Sequence, residues 1–311
     1  MNILIIGLGS IAKKHINAIM QINPKAKIYA LRSTNHSINE YKNVINVYSL
    51  FEIKVELNFV LISNPTSLHE NAILNCISLK IPIFIEKPVL SNLKNAQFIQ
   101  NQINKNNIIT YVACNMRFNP AIEFIKSSLL NQIKKINEVN IYCGSYLPTW
   151  RPESNYRTSY SSDRNLGGGV DLDMIHEIDY AVWLFGYPEK IQSIKSSKSS
   201  LNINSNDYAH FALEYNDFIA NITLNYFRLD TKREVEILTN EDTYIVNLQN
   251  STIFSKLKNT YIFNCQYNIL DTYLKQMEYF FQHINSRKKT MNDFGDGVKI
   301  LNIALNEEIK K

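Results

Sequence analysis

Cysteine is sparse in this chain of 311 residues. Cys76, Cys114, Cys143 and Cys265 stand far apart with no Cys-x-x-Cys pair, so neither a zinc cluster nor a dense disulfide framework is indicated, and a reducing cytoplasm suits the chain. Long apolar runs are also missing. The stretches Ile3 to Ile6, Phe59 to Ile62 and Ile81 to Ile85 have strand length, far below the roughly 20 residues that span a bilayer, so no membrane segment is expected. Neither sign of charge dominates: 33 basic residues face 28 acidic ones, for a net charge of +5. The lysines are scattered rather than massed into a stripe, which argues against nucleic acid as a partner and leaves only a weak general pull on anionic small molecules. With 45% hydrophobic and 20% charged residues the balance is that of a folded globular chain. Its length exceeds what one core usually serves, so two domains are expected.

Glycine is scarce as well, yet five of the nine fall in two clusters, Gly7 with Gly9 and Gly167 to Gly169. The first cluster reads Gly7-Leu8-Gly9-Ser10-Ile11-Ala12 directly after an apolar run. It matches the dinucleotide fingerprint, with alanine in the tolerated third position. Gly7 makes the tight turn, Gly9 admits a pyrophosphate, and the amides of Ser10, Ile11 and Ala12 at the helix start face the anion. A cleaved leader is not expected, because it would remove the strand and the turn together. At the end of the second strand, where NAD-using proteins carry an acidic residue, this chain has Arg32-Ser33-Thr34. A guanidinium flanked by two hydroxyls suits the extra phosphate of NADP, which a carboxylate would repel. NADP(H) is therefore expected ahead of NAD(H).

The first 115 or so residues alternate strand-like and helical stretches, the pattern of a parallel sheet with crossover helices. Strands are read at 2 to 6, 27 to 32, 58 to 62, 81 to 85 and 108 to 113, with helices at 10 to 21, 67 to 79 and 92 to 104. Asn119-Pro120 opens a further helix, which places a Rossmann domain at 1–118 and a second domain at 119–311, whose last helix is free to return to the first. In the second domain, paired strands flank turn signals at Asn216-Asp217 and Asn240 to Asp242, as in an antiparallel sheet. Lys195 to Ser200 reads as a polar loop, and helices close the chain near 269 to 285 and 294 to 309. The fold class expected is α/β: a doubly wound parallel sheet followed by an α+β domain with an open, mainly antiparallel sheet.

Two further groups carry chemistry. Strand 81 to 85 runs into Glu86-Lys87-Pro88, which puts Lys87 at the carboxyl end of a parallel strand, where doubly wound sheets bind their ligands. Taken by itself, Glu-Lys-Pro is a weak signal that an exposed loop lysine explains better. Behind the second glycine cluster, a helix expected to run to Leu184 carries Asp173, His176 and Asp179 at every third position, gathering them on one face among apolar residues. Asp173 with His176 supplies a carboxylate and a titratable imidazole, and the alternative is a core histidine beside acids favoured by the helix dipole. No second His or Cys cluster accompanies them, so no metal is expected.

Three blocks in this order resemble the Gfo/Idh/MocA oxidoreductase family: the N-terminal fingerprint; Ser63-Asn64-Pro65-Thr66-Ser67-Leu68-His69-Glu70 leading to Glu86-Lys87-Pro88; and Gly167-Gly168-Gly169 through His176. The resemblance implies that Lys87, Asp173 and His176 line the reaction centre, and that Ser63, Asn64, Pro65 and His69 lie along the cofactor with Glu86 nearby. It also implies a homodimer or homotetramer formed through the C-terminal sheet. The chain departs from the family pattern at Arg32, at Lys80 where a glycine is usual, and in the three-residue spacing of Asp173 and His176. The segment 145 to 160 resembles a subgroup met in bacterial surface-glycan pathways. In it Trp150, Tyr156 and Tyr160 are candidates to stack on a pyranose, and Arg151 and Arg157 to hold phosphate or carboxylate. A loop packed on a partner subunit would use similar residues. Arg117 is a further substrate candidate.

The expected function is hydride transfer between NADP(H), or NAD(H), and a carbinol or carbonyl carbon of a phosphorylated or nucleotide-linked sugar. Lys87 and His176 would share the proton transfer and Asp173 would orient His176. A redox-neutral elimination or epimerisation with retained cofactor stands second, and a cofactor-sensing regulator without chemistry third.

Overall fold

The computed structural model describes residues 1–33 and 43–306; Thr34 lies outside them. Two compact units emerge, residues 1–113 with 270–301 and residues 114–269 with 302–311. The sequence puts the division at residue 118. Here 114–118 counts with the second unit, and most of the two closing helices with the first.

In the first unit, β1 (Asn2–Ile6), β2 (Lys27–Leu31), β3 (Val44–Val47), β4 (Phe59–Ile62), β5 (Ile83–Ile85) and β6 (Thr110–Val112) form one sheet in the order β3-β2-β1-β4-β5-β6. Every pairing is parallel. Strands covered on both faces are apolar throughout, and β4 and β5 are buried along their whole length. Helices α1 (Ser10–Ile22), α2 (His69–Ile77) and α3 (Ala96–Lys105) make the crossovers. Strand β3 was not anticipated: four residues at the sheet edge carry too short an alternation to be recognised. Lys80, where the family resemblance expects glycine, has φ +53, a left-handed conformation that glycine adopts without strain.

The second unit opens with α4 (Pro120–Phe124), whose cap Asn119 accepts from the Ala121 amide at 3.0 Å. Its sheet comprises β7 (Ile136–Tyr146) and the seven strands that follow α5 (Val170–Asp173) and α6 (His176–Phe185): β8 (Lys190–Ser196), β9 (Tyr208–Glu214), β10 (Ile219–Asn225), β11 (Phe227–Thr239), β12 (Thr243–Asn247), β13 (Thr252–Ser255) and β14 (Thr260–Asn264). Their order is β14-β13-β12-β11-β7-β10-β9-β8. All neighbours are antiparallel except β7 with β10, which are parallel. The inner face buries Ile141, Phe211, Ile222, Val235 and Ile237.

Two local expectations are corrected. The single helix read through Asp173 and His176 is two, because Met174 leaves the helical basin with φ −98 and ψ 31. Residues 195 and 196 belong to β8 rather than to a polar loop, since the Lys195 ammonium is drawn inward to pair with the buried Asp171 at 2.9 Å. The chain closes with α7 (Ile269–Ser286) and α8 (Phe294–Leu305). Phe280 of α7 packs edge-on against Phe84 of β5, ring centres 5.3 Å apart, and so seals one face of the parallel sheet. Among the described residues no helix is long and apolar enough to cross a membrane.

Candidate active site

In the first unit the site grows from the turn after β1. Gly7 has φ +91, and a Cβ there would lie 2.4 Å from the Asn64 amide nitrogen, so the fold itself demands glycine. Gly9 differs. Its φ of −88 is open to any residue and a Cβ would meet nothing within 4 Å, so no atom of the described residues explains the missing side chain. Helix α1 then starts with no side-chain cap and no acidic residue in its first turn, and Ser10 is exposed. The amides of Ser10, Ile11 and Ala12 thus form an electropositive end with space before it, and the space suits the pyrophosphate of a dinucleotide.

Beside it, at the carboxyl ends of β1, β2 and β4, lies a cleft of about 460 Å³ lined by Ile6, Leu31, Tyr48, Leu50, Asn64 and Leu68. Asn64 leaves its Oδ1 without a hydrogen-bond partner among the described residues. Arg32 is half-buried at the end of β2, its amide tied to the Val47 carbonyl at 2.9 Å, and Ser33 is exposed. Pro65 is exposed and leads into a single tight turn, Thr66–Leu68, before α2.

The remaining first-unit candidates brace this turn. The Ser63 hydroxyl donates to the Gly7 carbonyl at 2.8 Å. His69, 1% exposed, sets Nδ1 2.9 Å from the Pro88 carbonyl and Nε2 3.0 Å from the Asn64 carbonyl, tying the chain before α2 to the segment carrying Lys87. Burial pushes its imidazole below the ordinary 6.5, against the opposing pull of the Asn64 carbonyl and Glu86. Glu86 accepts the Lys87 amide at 3.1 Å through Oε2, and its Oε1 meets Nε2 of His15. Burial alone would raise the Glu86 carboxyl, but the hydrogen bond and charge of His15, with Lys87, outweigh it and hold the group below its ordinary 4.5. His15 escaped the sequence reading. Its signal was a polar residue on the apolar face of α1, sharing that face with Ala12, Ile16 and Ile19, all buried.

In the second unit, Asp173, His176 and Trp150 line one cleft of about 410 Å³. The break between α5 and α6 places Asp173 at the end of one helix and His176 at the start of the next. The Tyr226 hydroxyl donates to Asp173 Oδ2 at 2.6 Å, and the Tyr226 ring meets Trp150 edge-on at 5.3 Å. The Trp150 indole donates to the Ser145 hydroxyl at 2.9 Å. Arg233 of β11 completes the cleft, its Nε bonded to the fully buried Glu177 of α6. Burial opposes the charge on Arg233, but Glu177 outweighs it and holds the guanidinium protonated; burial and then Glu177 push the neighbouring Cys143 thiol up. Neither partner was singled out from the sequence, although Arg233 shares strand parity with the buried Val235 and Ile237, and Glu177 shares a helix face with Tyr180, Ala181 and Leu184.

Other candidates lie elsewhere. Arg117, expected at the substrate, is 4% exposed and forked onto Asp179 at 2.7 and 2.9 Å, so both serve to anchor α6. Asp179 therefore does not share the cleft with Asp173 and His176. Tyr156 donates to the Leu201 carbonyl at 3.1 Å with Arg157 stacked on its ring, Tyr160 donates to the Gly167 carbonyl at 2.8 Å, and Arg151 is exposed. None of these four lines the cleft.

Family models match the chain twice, as an oxidoreductase family with an NAD-binding Rossmann fold over residues 1–114 and as a GFO/IDH/MocA C-terminal domain over residues 131–245. Myo-inositol 2-dehydrogenase of Thermotoga maritima is 26% identical over 65% of this chain and 59% of its own length. The chain spans about half the length of the curated relatives it matches, from 45% to 59% for four of them. Among solved structures, UDP-N-acetylglucosamine 3-dehydrogenase from Acidithiobacillus ferrooxidans superposes with a TM-score of 0.78 at 17% identity, covering 98% of this chain and 96% of that one. Levoglucosan dehydrogenase in complex with NADH gives 0.82 at 17%, covering 98% and 97%. At such identity the likeness speaks for the fold, while the two models, matched in order along the sequence, speak for descent: the chain belongs to the Gfo/Idh/MocA oxidoreductase family.

Proposed function

We propose that the protein is a nicotinamide-dependent dehydrogenase that interconverts a carbinol and a carbonyl carbon of a sugar or polyol. The observation that carries this reading is Gly9, which no described residue requires to be glycine, set at a helix start with no side-chain cap and with space before it. The dinucleotide, when bound, supplies or accepts the hydride. Lys87 and His176 share the proton of the reacting hydroxyl, and Asp173, steadied by Tyr226, orients the imidazole. Glu86, fixed by His15, holds the Lys87 backbone in place. NADP(H) is preferred to NAD(H): among the described residues no carboxylate pairs with Arg32, which leaves the guanidinium for the extra phosphate. A phosphate or nucleotide on the substrate would meet Arg151 and Arg157 on the loop outside the cleft. Relatives and neighbours whose names specify inositol, levoglucosan or a UDP-linked sugar support this substrate class. The outward face of the eight-stranded sheet is the self-association surface, with light scattering as its test.

Fluorescence titration with NADPH and NADH, followed by an absorbance screen of sugars and polyols, tests the whole reading. Lys87→Met should abolish turnover, by about a thousandfold or more, while cofactor affinity stays within about twofold of the parent. Normal turnover in that variant removes Lys87 from the mechanism.

A further inference from the structure

The second-unit cleft contains a cation whose surroundings narrow what it binds. Arg233 is 22% exposed, and among the described residues its one hydrogen-bonded ion pair is where Nε meets Oε1 of Glu177, itself 0% exposed. Among the described residues no acceptor takes the hydrogens of its two terminal amino groups. A guanidinium pinned at Nε and open at the other edge is a planar fork awaiting two oxygens side by side.

Those oxygens can belong to a carboxylate or to two neighbouring hydroxyls, and charge decides between them. Glu177 already balances Arg233, and Asp173 adds a further carboxylate to the same lining. An anionic ring substituent would bring a third negative group to one guanidinium in a partly desolvated cleft. Hydroxyls face no such opposition, because each accepts from the fork and donates onward to a carboxylate such as Asp173. Trp150, 41% exposed at the rim, offers an apolar wall for the carbon face of a ring, and 410 Å³ lies within the usual range for small-molecule sites.

We infer that Arg233 is the specificity-determining residue of this cleft, reading a vicinal diol on an uncharged sugar or polyol ring and discriminating against a ring carboxylate. The inference rests on the proposed dehydrogenase reading for its setting, and ring binding by itself tests it. Binding of D-glucose, myo-inositol and D-glucuronate to the full chain is measured by saturation-transfer NMR, with turnover read separately in the presence of cofactor. The neutral rings should bind in preference to glucuronate. Arg233→Met should weaken them by about tenfold to a hundredfold, and Arg233→Lys, which keeps charge but loses the fork, should not restore them. Glu177→Gln keeps the shape and releases the guanidinium charge, so the preference should swing toward glucuronate by about tenfold. Because Arg233→Met leaves Glu177 buried without a counter-charge and risks unfolding, the double variant Glu177→Gln with Arg233→Met repeats the measurement with no charge at the pair. Unchanged neutral-ring binding in that double variant overturns the inference, as does a parent preference for glucuronate or no binding of any ring. Intact diol binding without hydride transfer would instead sink the dehydrogenase reading alone.

Discussion

At Gly168 an added methyl would sit 2.1 Å from the carbonyl oxygen of Tyr160, whereas at Gly9 it would meet no atom within 4 Å. The two glycine clusters are alike in the sequence and differ in what surrounds them. Gly167 and Gly169 have φ +86 and +134, so the second cluster is needed by the chain to fold its own loop against α5. In the first, Gly7 is needed by the chain, whereas no described residue requires Gly9 to be glycine, which fits the proposed dinucleotide contact. A glycine that neither backbone conformation nor packing requires is what close approach of a ligand to the backbone would select, and that distinction supports the proposed cofactor turn better than glycine content does.

Three substitutions test this contrast. Gly168→Ala should destabilise the second unit by about 3 kcal/mol or more, since a backbone oxygen cannot swing aside as a flexible side chain can; a thermal melt matching the parent would erase the difference between the clusters. Gly9→Val should do the converse, leaving stability within about 1 kcal/mol while NADPH affinity falls by about tenfold or more, read by melting and fluorescence titration on the same sample. The smallest effect concerns the brace beneath the first turn. Burial lowers the His69 pKa from 6.5, so as pH drops below that value the unfolded chain takes up a proton that the folded chain resists, and stability falls. The slope is at most about 1.4 kcal/mol per pH unit. Glu86, also lowered, keeps its contribution until the pH falls below its ordinary 4.5. Between these values the parent should lose melting temperature on acidification faster than His69→Asn does, and parallel curves would show that the imidazole is not held neutral by burial.

Much of the architecture was legible along the chain. The first parallel strands, their crossover helices and the hairpin turns at 215–218 and 239–242 follow from local periodicity and turn chemistry, because each is decided within a few residues. Short edge strands such as β3, and the break at Met174, were not legible: neither leaves a pattern long enough to read. Among the site residues, the pair Asp173 and His176 is legible from spacing, but the sequence groups Trp150 with Tyr156 and Tyr160, of which only Trp150 lines the cleft; Arg117 reads as a substrate residue because nothing in its own neighbourhood announces Asp179.

Consecutive residues alone specify the strand, the glycine turn and the helix start with its free amides, since that device is built from neighbouring backbone groups. Which distant side chains meet is settled by the folded chain: His15 with Glu86, Tyr226 with Asp173, Arg233 with Glu177, partners 71, 53 and 56 residues apart. Strand order and register bring such pairs together, and the hydrophobic alternation that specifies each strand says which face it buries without naming the neighbour it will find there.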